Sequence, residues 1–123
     1  MGRLAAQLER HIPRCRTFSL ITAWNPWASA ASPRHNRSAD RGLQRWLYLR
    51  GAPHWPAVNG VGTWQESSWL VGNPPLGQLD VVARQLGQIA TLHWRRGDPV
   101  ALRWHVDPAG HRQRFVDAGR ADP

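Results

Sequence analysis

A chain of 123 residues and 13.9 kDa is long enough to bury one core and too short to build two. It has no apolar run of membrane-spanning length, no charged segment leading into an apolar stretch, and one cysteine, Cys15. No transmembrane span, signal peptide or intramolecular disulfide is therefore expected, and a reducing, cytoplasmic compartment is. Sixteen arginines with no lysine set the formal charge at +8, a balance that attracts polyanions.

Leu4, Leu8 and Ile12 recur at helical spacing, which predicts a short amphipathic helix over residues 3–12, stopped at Pro13. Thr17 to Trp24 is β-rich and uncharged, as a central strand would be, and Asn25-Pro26 ends it. Ser32-Pro33 is a helix start, with Ser as N-cap and Pro in the first turn; the helix runs to Arg50 and stops at Gly51. At about 100° per residue, Ala39, Leu43, Trp46 and Leu47 share one side of it and Arg34, Arg37, Arg41 and Arg45 the other. Asn36 is the exception, a polar residue on the apolar side.

Residues 53–59 read as a strand confined to a sheet edge by Pro53 and Pro56, followed by a turn over residues 60–63 and a strand from Trp64 to Val71. A second helix spans Leu76 to Leu86, with Leu79, Val82, Ala83 and Leu86 as its buried stripe and Gly87 as its cap. Gln88–Trp94 and Val100–Val106 are two further strands around a turn at residues 95–99, with Trp94 and Trp104 expected to pair across it. One domain over residues 1–106 and a polar, flexible tail over 107–123 are predicted.

Apart from the first helix, the order is β-α-β-β-α-β with one more strand. Two crossover helices around a central hairpin predict an α+β fold: a split β-α-β, ferredoxin-like two-layer sandwich. Its antiparallel sheet would carry both main helices on one face, with an extra N-terminal helix and a C-terminal hairpin.

The charge is unevenly spread. Residues 1–16 carry a net +3, residues 17–50 a net +4, residues 51–94 a net −1 and residues 95–123 a net +2. Arg, Ala, Gly and Pro make up 52 of the 123 residues, and their codons are GC-rich, so genome composition alone accounts for arginine in place of lysine.

Four segments in order carry a family resemblance. They are Ile21-Thr-Ala-Trp-Asn-Pro26, then Ser32, Asn36, Leu43 and Leu47, then Trp64-Gln-Glu66-Ser-Ser-Trp-Leu-Val71, then Ala83-Arg-Gln-Leu-Gly-Gln88. Over residues 4–94 the chain resembles the bacterial domain of unknown function 3293. In that family an "ITAxNP" strand leads into a helix with an early Asn, a "W-x-E-x-S" strand follows, and a later helix ends in "fgQ". Two features depart from its pattern. The family has a further strand pair before the first helix, where this chain begins; a sheet edge left uncovered there would allow self-association. The turn before Trp64 is also shorter. The resemblance implies no activity, because the family has none assigned.

In the expected topology Asn25, Ser32, Asn36, Glu66, Ser67 and Gln88 fall at one end of the sheet, which makes them the ligand-binding candidates. A pocket there would use Glu66 as acid/base, with Asn25, Asn36 and Gln88 as orienting amides. The competing expectation is that these short polar side chains cap strands and satisfy loop backbone groups. His11, His35, His54, His93, His105 and His111 lack paired metal spacing, and no nucleotide or nucleophile signature appears, so neither metal nor cofactor is expected. The nucleic-acid candidates are Arg34, Arg37, Arg41 and Arg45, although such a stripe is commonly just a solvated helix face. The sequence thus favours a small binding or interaction module. A nucleic-acid-associated protein stands second and an enzyme built on Glu66 a remote third.

Overall fold

The computed structural model describes residues 14–106. Within them the chain runs β1 (Thr17–Ile21), a 3-10 turn (Pro26–Ala28), α1 (Pro33–Leu49), β2 (His54–Val61), β3 (Trp64–Gly72), α2 (Leu76–Gln85), β4 (Ala90–Arg95) and β5 (Ala101–Trp104). The helix expected over residues 3–12 and the tail from residue 107 lie outside the described residues.

The fold is α+β, with five antiparallel strands in the order β2-β3-β1-β4-β5. β1 is central and free of charge because both its faces are buried: Ser19 and Ile21 alternate with Phe18 and Leu20. Ile21 joins Trp69 and Val71 of β3 in one buried cluster with Leu43 and Leu47 of α1 and Leu79 and Ala83 of α2. Phe18, Leu20, Leu70 and Trp94 form a second cluster with Cys15 and Val100.

α1 begins, and both helices end, as their local sequence dictates. Ser32 Oγ accepts the His35 N–H at 3.1 Å, the N-cap bond that Ser-Pro promises. At the far end of α1, Gly51 (φ 66°) donates to the Tyr48 carbonyl and Ala52 to that of Leu47, so the last carbonyls of the helix are satisfied. α2 ends in the same way: Gly87 (φ 71°) donates to Arg84 and Gln88 to Ala83.

Several expected boundaries shift, each for a local reason. β1 stops at Ile21, short of Trp24, because Thr22 Oγ1 takes the Trp24 N–H at 3.0 Å and donates to the Ser67 carbonyl at 2.8 Å, replacing ladder bonds with side-chain bonds. The hairpin turn shrinks to Gly62-Thr63, since Val61 pairs with Trp64. β4 begins at Ala90 because the Gln88 N–H is engaged by the end of α2. Trp94 and Trp104 do not pair. Trp94 lies opposite Phe18 and stacks on it with ring centres 5.5 Å apart, while Trp104 lies opposite Ala90.

β2 is an edge strand, as its prolines predict. The Pro53 carbonyl takes the Gly72 N–H, and alternation then turns the peptide groups of residues 54, 56 and 58 away from β3.

Candidate functional site

The segment after β1 is fastened on every side. Asn25 donates its backbone N–H to Asn36 Oδ1 at 3.0 Å, and the Asn36 amide donates back to Asn25 Oδ1 at 3.0 Å. The same Oδ1 takes the Ala31 N–H at 3.0 Å, and Asn25 Nδ2 donates to Glu66 Oε2 at 2.9 Å. Gln88 Nε2 donates to the Trp24 carbonyl at 3.0 Å, and the Trp27 N–H reaches the Gly87 carbonyl at 2.8 Å.

Of the six candidates, Asn25, Asn36 and Glu66 therefore form one hydrogen-bonded chain, and Gln88 grips the same loop from the opposite side. Ser32 serves as the helix cap. The Ser67 side chain is exposed, and only its carbonyl holds the loop. Asn36 is on the apolar side of α1 because its amide must meet Asn25, and it is 4% exposed. The amides expected to orient a ligand thus orient backbone and one another.

Burial pushes the Glu66 carboxyl above its ordinary range, against the opposing effect of hydrogen bonds from the Asn25 and Trp64 side chains. No group of three or more His, Cys, Asp or Glu that could hold a metal assembles among the described residues.

This fastening holds an unusual backbone. Asn25 (φ 50°), Trp27 (φ 60°) and Ala28 (φ 56°) are all left-handed, a region in which non-glycine residues are strained. Gly87 lets the turn approach closely, since a Cβ there would be 2.8 Å from Pro26 Cβ and 3.1 Å from Trp27 Nε1. Between this turn, the start of α1 and the end of α2 is a cleft of about 200 Å³. Trp27, His35, Arg84 and Gln85 line it, together with Ala23 and Ala39. None of these four was among the site candidates read from the sequence: Arg84 and Gln85 lay inside the fourth family segment, His35 was weighed only for metal, and nothing local joins them to Trp27. A second hollow of about 340 Å³ between α1 and the β2–β3 hairpin takes in Ser67, Ser68 and Asp40, whose Oδ1 already accepts the Trp69 indole N–H at 2.9 Å.

Arg84 connects the cleft to a polar network the sequence did not reveal. Its Nε donates to the His105 carbonyl at 3.2 Å. The His105 ring meets Thr91 Oγ1 at 2.7 Å through Nε2 and faces Asp80 Oδ1 at 3.5 Å through Nδ1. Arg103 holds Asp80 with two bonds of 2.8 and 2.6 Å, which keeps its carboxyl below the usual carboxylate range. Burial lowers both His105 and His93, so both favour the neutral form. Thr91, His105 and Asp80 are arranged like a nucleophile, base and orienting acid, but Thr91 and His105 are buried and Asp80, on α2 itself, is already held by Arg103.

The arginine stripe is exposed as expected, and none of Arg34, Arg37, Arg41 and Arg45 is ion-paired among the described residues. No helix of the described residues is long and apolar enough to cross a membrane.

No curated protein and no solved structure matches the chain. Residues 21–91 match the family described as "Protein of unknown function (DUF3293)", a narrower span than the 4–94 its motifs implied. The match opens on the Ile21–Pro26 segment and contains Asn25, Asn36, Glu66 and Gln88, the residues that fasten the strained turn. With more than half its length inside that match, the chain belongs to the DUF3293 family.

Proposed function

We propose that the chain is a small-molecule binding module whose site is the cleft between the turn after β1, the first turn of α1 and the last turn of α2. The observation that carries this reading is the left-handed turn itself. Residues 22–32 connect β1 to α1, whereas such connections usually need about 2–6 residues. The extra length is not slack, because it is held in a conformation costing about 1–3 kcal/mol per strained residue. The result is an indole, Trp27, at the edge of a cleft and still 45% exposed. Glu66 acts as an anchor of that turn rather than as a catalyst.

The strand order also supports the finer fold reading. β1 connects to β2 through α1, and β3 to β4 through α2, each pair straddling one strand, as in a split β-α-β, ferredoxin-like sandwich. β5 extends it at one edge. In that arrangement the cleft lies where the β1–α1 and α2–β4 connections meet.

The test is a fragment screen by thermal shift and Trp fluorescence on the wild-type chain and Trp27→Ala. Alanine keeps the same backbone demand at this position, so the substitution isolates the indole. Compounds that stabilise the wild type and lose their effect in a folded Trp27→Ala chain support the reading. A wild type that binds nothing at millimolar concentration, or binders indifferent to Trp27, overturns it.

A second reading is favoured by one observation: the stripe of Arg34, Arg37, Arg41 and Arg45 continues one turn further into Tyr48, which is 74% exposed. Four cations and a stacking ring in line suit a single-stranded polyanion. Replacing all four arginines by glutamine should lower the salt at which the chain leaves heparin or RNA, with no change in melting temperature; unchanged retention eliminates this reading.

A further inference from the structure

We infer that the cleft takes a small planar anion, of the size and chemistry of a one-ring aromatic carboxylate. This inference rests on the binding-module reading above and names the ligand class for the same site. Size is the first constraint. About 200 Å³ is below the ~300–1,000 Å³ typical of sites for drug-sized ligands and cofactors, so one ring fits and a dinucleotide does not.

Charge is the second. The cleft is lined by the Arg84 guanidinium and by no carboxylate, whereas the neighbouring hollow contains Asp40. Arg84 is aimed rather than loose: its Nε is tied to the His105 carbonyl, and the other guanidinium N–H groups have no partner among the described residues. A guanidinium fixed by one edge presents the paired donors that match a carboxylate. The carbonyls at the end of α2 would repel an anion if they were bare. Those of Val82, Ala83 and Arg84 instead accept N–H groups of Leu86, Gln88 and Gly87, so the negative end of the helix is covered.

Shape is the third constraint. Trp27 lines the same cleft as Arg84, and offset stacking on an indole selects a flat partner. Gln85 adds an amide at the same rim.

The experiment compares benzoate, benzamide and benzamidine, which share a ring and differ in charge. They are titrated by calorimetry and by amide chemical shifts into the wild type, Arg84→Gln, Arg84→Lys and Trp27→Ala, each first shown to be folded by thermal melting. The expected result is that benzoate binds at least tenfold tighter than benzamide and benzamidine not at all, with shifts centred on residues 26–28, 35 and 84–87. Arg84→Gln should erase the preference for benzoate over benzamide, Arg84→Lys should keep part of it, and Trp27→Ala should weaken both ligands. Equal or better binding of benzamide or benzamidine at the cleft overturns the anion assignment while leaving the binding site in place. Absence of cleft binding by all three overturns the anion assignment as well, and the fragment screen then decides the site.

Discussion

Asn25 and Asn36 are hydrogen-bonded to each other in both directions, backbone N–H to side-chain oxygen one way and side-chain amide to side-chain oxygen the other, both at 3.0 Å. This reciprocal pair ties the loop after β1 to α1. It is the reason that a polar residue occupies a core position of an otherwise apolar helix face. Removing it leaves the Asn25 N–H without its acceptor, while Asn25 Oδ1 keeps only the Ala31 N–H. Asn36→Ala is therefore expected to destabilise the chain by about 1–3 kcal/mol in chemical denaturation. A change below ~0.5 kcal/mol would mean that water replaces the Asn36 amide without cost.

Glu66 behaves in the opposite sense. Its folded carboxyl holds a proton more tightly than the unfolded one, mainly because it is buried. Its favourable contribution is thus fully present below the unfolded value near 4.5 and is lost as pH rises through the higher folded value. Partial burial thus works against the ionised form of this carboxyl. Glu66→Gln retains an acceptor for Asn25 Nδ2 without the charge, so it should melt at the same or a higher temperature at neutral pH. That advantage should vanish at acid pH. Thermal melts at the two pH values check this, and a clear loss at neutral pH would show that the carboxylate is required in charged form.

Gly87 and Gly51 form a matched pair of helix caps, with φ of 71° and 66°. A Cβ at Gly51 meets nothing within 4 Å, whereas one at Gly87 collides with Pro26 and Trp27. Gly51→Ala should therefore cost about 1 kcal/mol from the backbone alone. Gly87→Ala should cost clearly more and should also shift Trp27 fluorescence, because the turn must back away. Equal costs for the two variants would show that the turn yields freely.

The network under α2 predicts acid sensitivity. His93 and His105 have folded values below the ordinary 6.5, mainly from burial, with Arg103 adding to the effect at both and Arg84 at His105. For a base shifted down, the stability is present above the unfolded value and is lost as pH falls through the folded one. Asp80 also has a lowered value, from Arg103 first, and its contribution is lost only further into acid, below 3.8. Unfolding free energy should therefore begin to fall below pH 6.5, before Asp80 titrates. His105→Gln can still accept from Thr91 but does not titrate, so it should flatten this first limb of the curve. An unchanged slope in denaturant titrations across that range would assign the acid sensitivity elsewhere.

What could be read in the sequence was what nearest neighbours decide. Ser32-Pro33 and Gly51 set the ends of α1 through bonds a few residues long, and Pro53 and Pro56 marked β2 as an edge. Asn36 stood out because it broke an apolar stripe. Two of the misplaced boundaries share a cause: side chains or helix ends competed for backbone groups that a strand would otherwise use. Thr22 did this at the end of β1, and the α2 cap did it at Gln88. The Trp94–Trp104 pairing failed because register is fixed across the whole sheet and not by the turn residues. The cleft was illegible for a related reason. Trp27, His35 and Arg84 meet only after the loop folds back on Gly87, and the left-handed φ of Trp27 and Ala28 is imposed by tertiary contacts that no local preference of tryptophan or alanine encodes.

The outward-turned peptide of Pro56 also bears on how the molecule behaves when crowded. A foreign strand laid along β2 would seek a donor from every second residue, and at Pro56 it finds a ring in place of an N–H. The opposite margin, β5, offers only Ala101–Trp104. Among the described residues one rim is interrupted and the other is brief, which shortens the stretch along which a second copy could pair strand to strand. Any fibre growth along this sheet would thus be limited by its outline before charge comes into play.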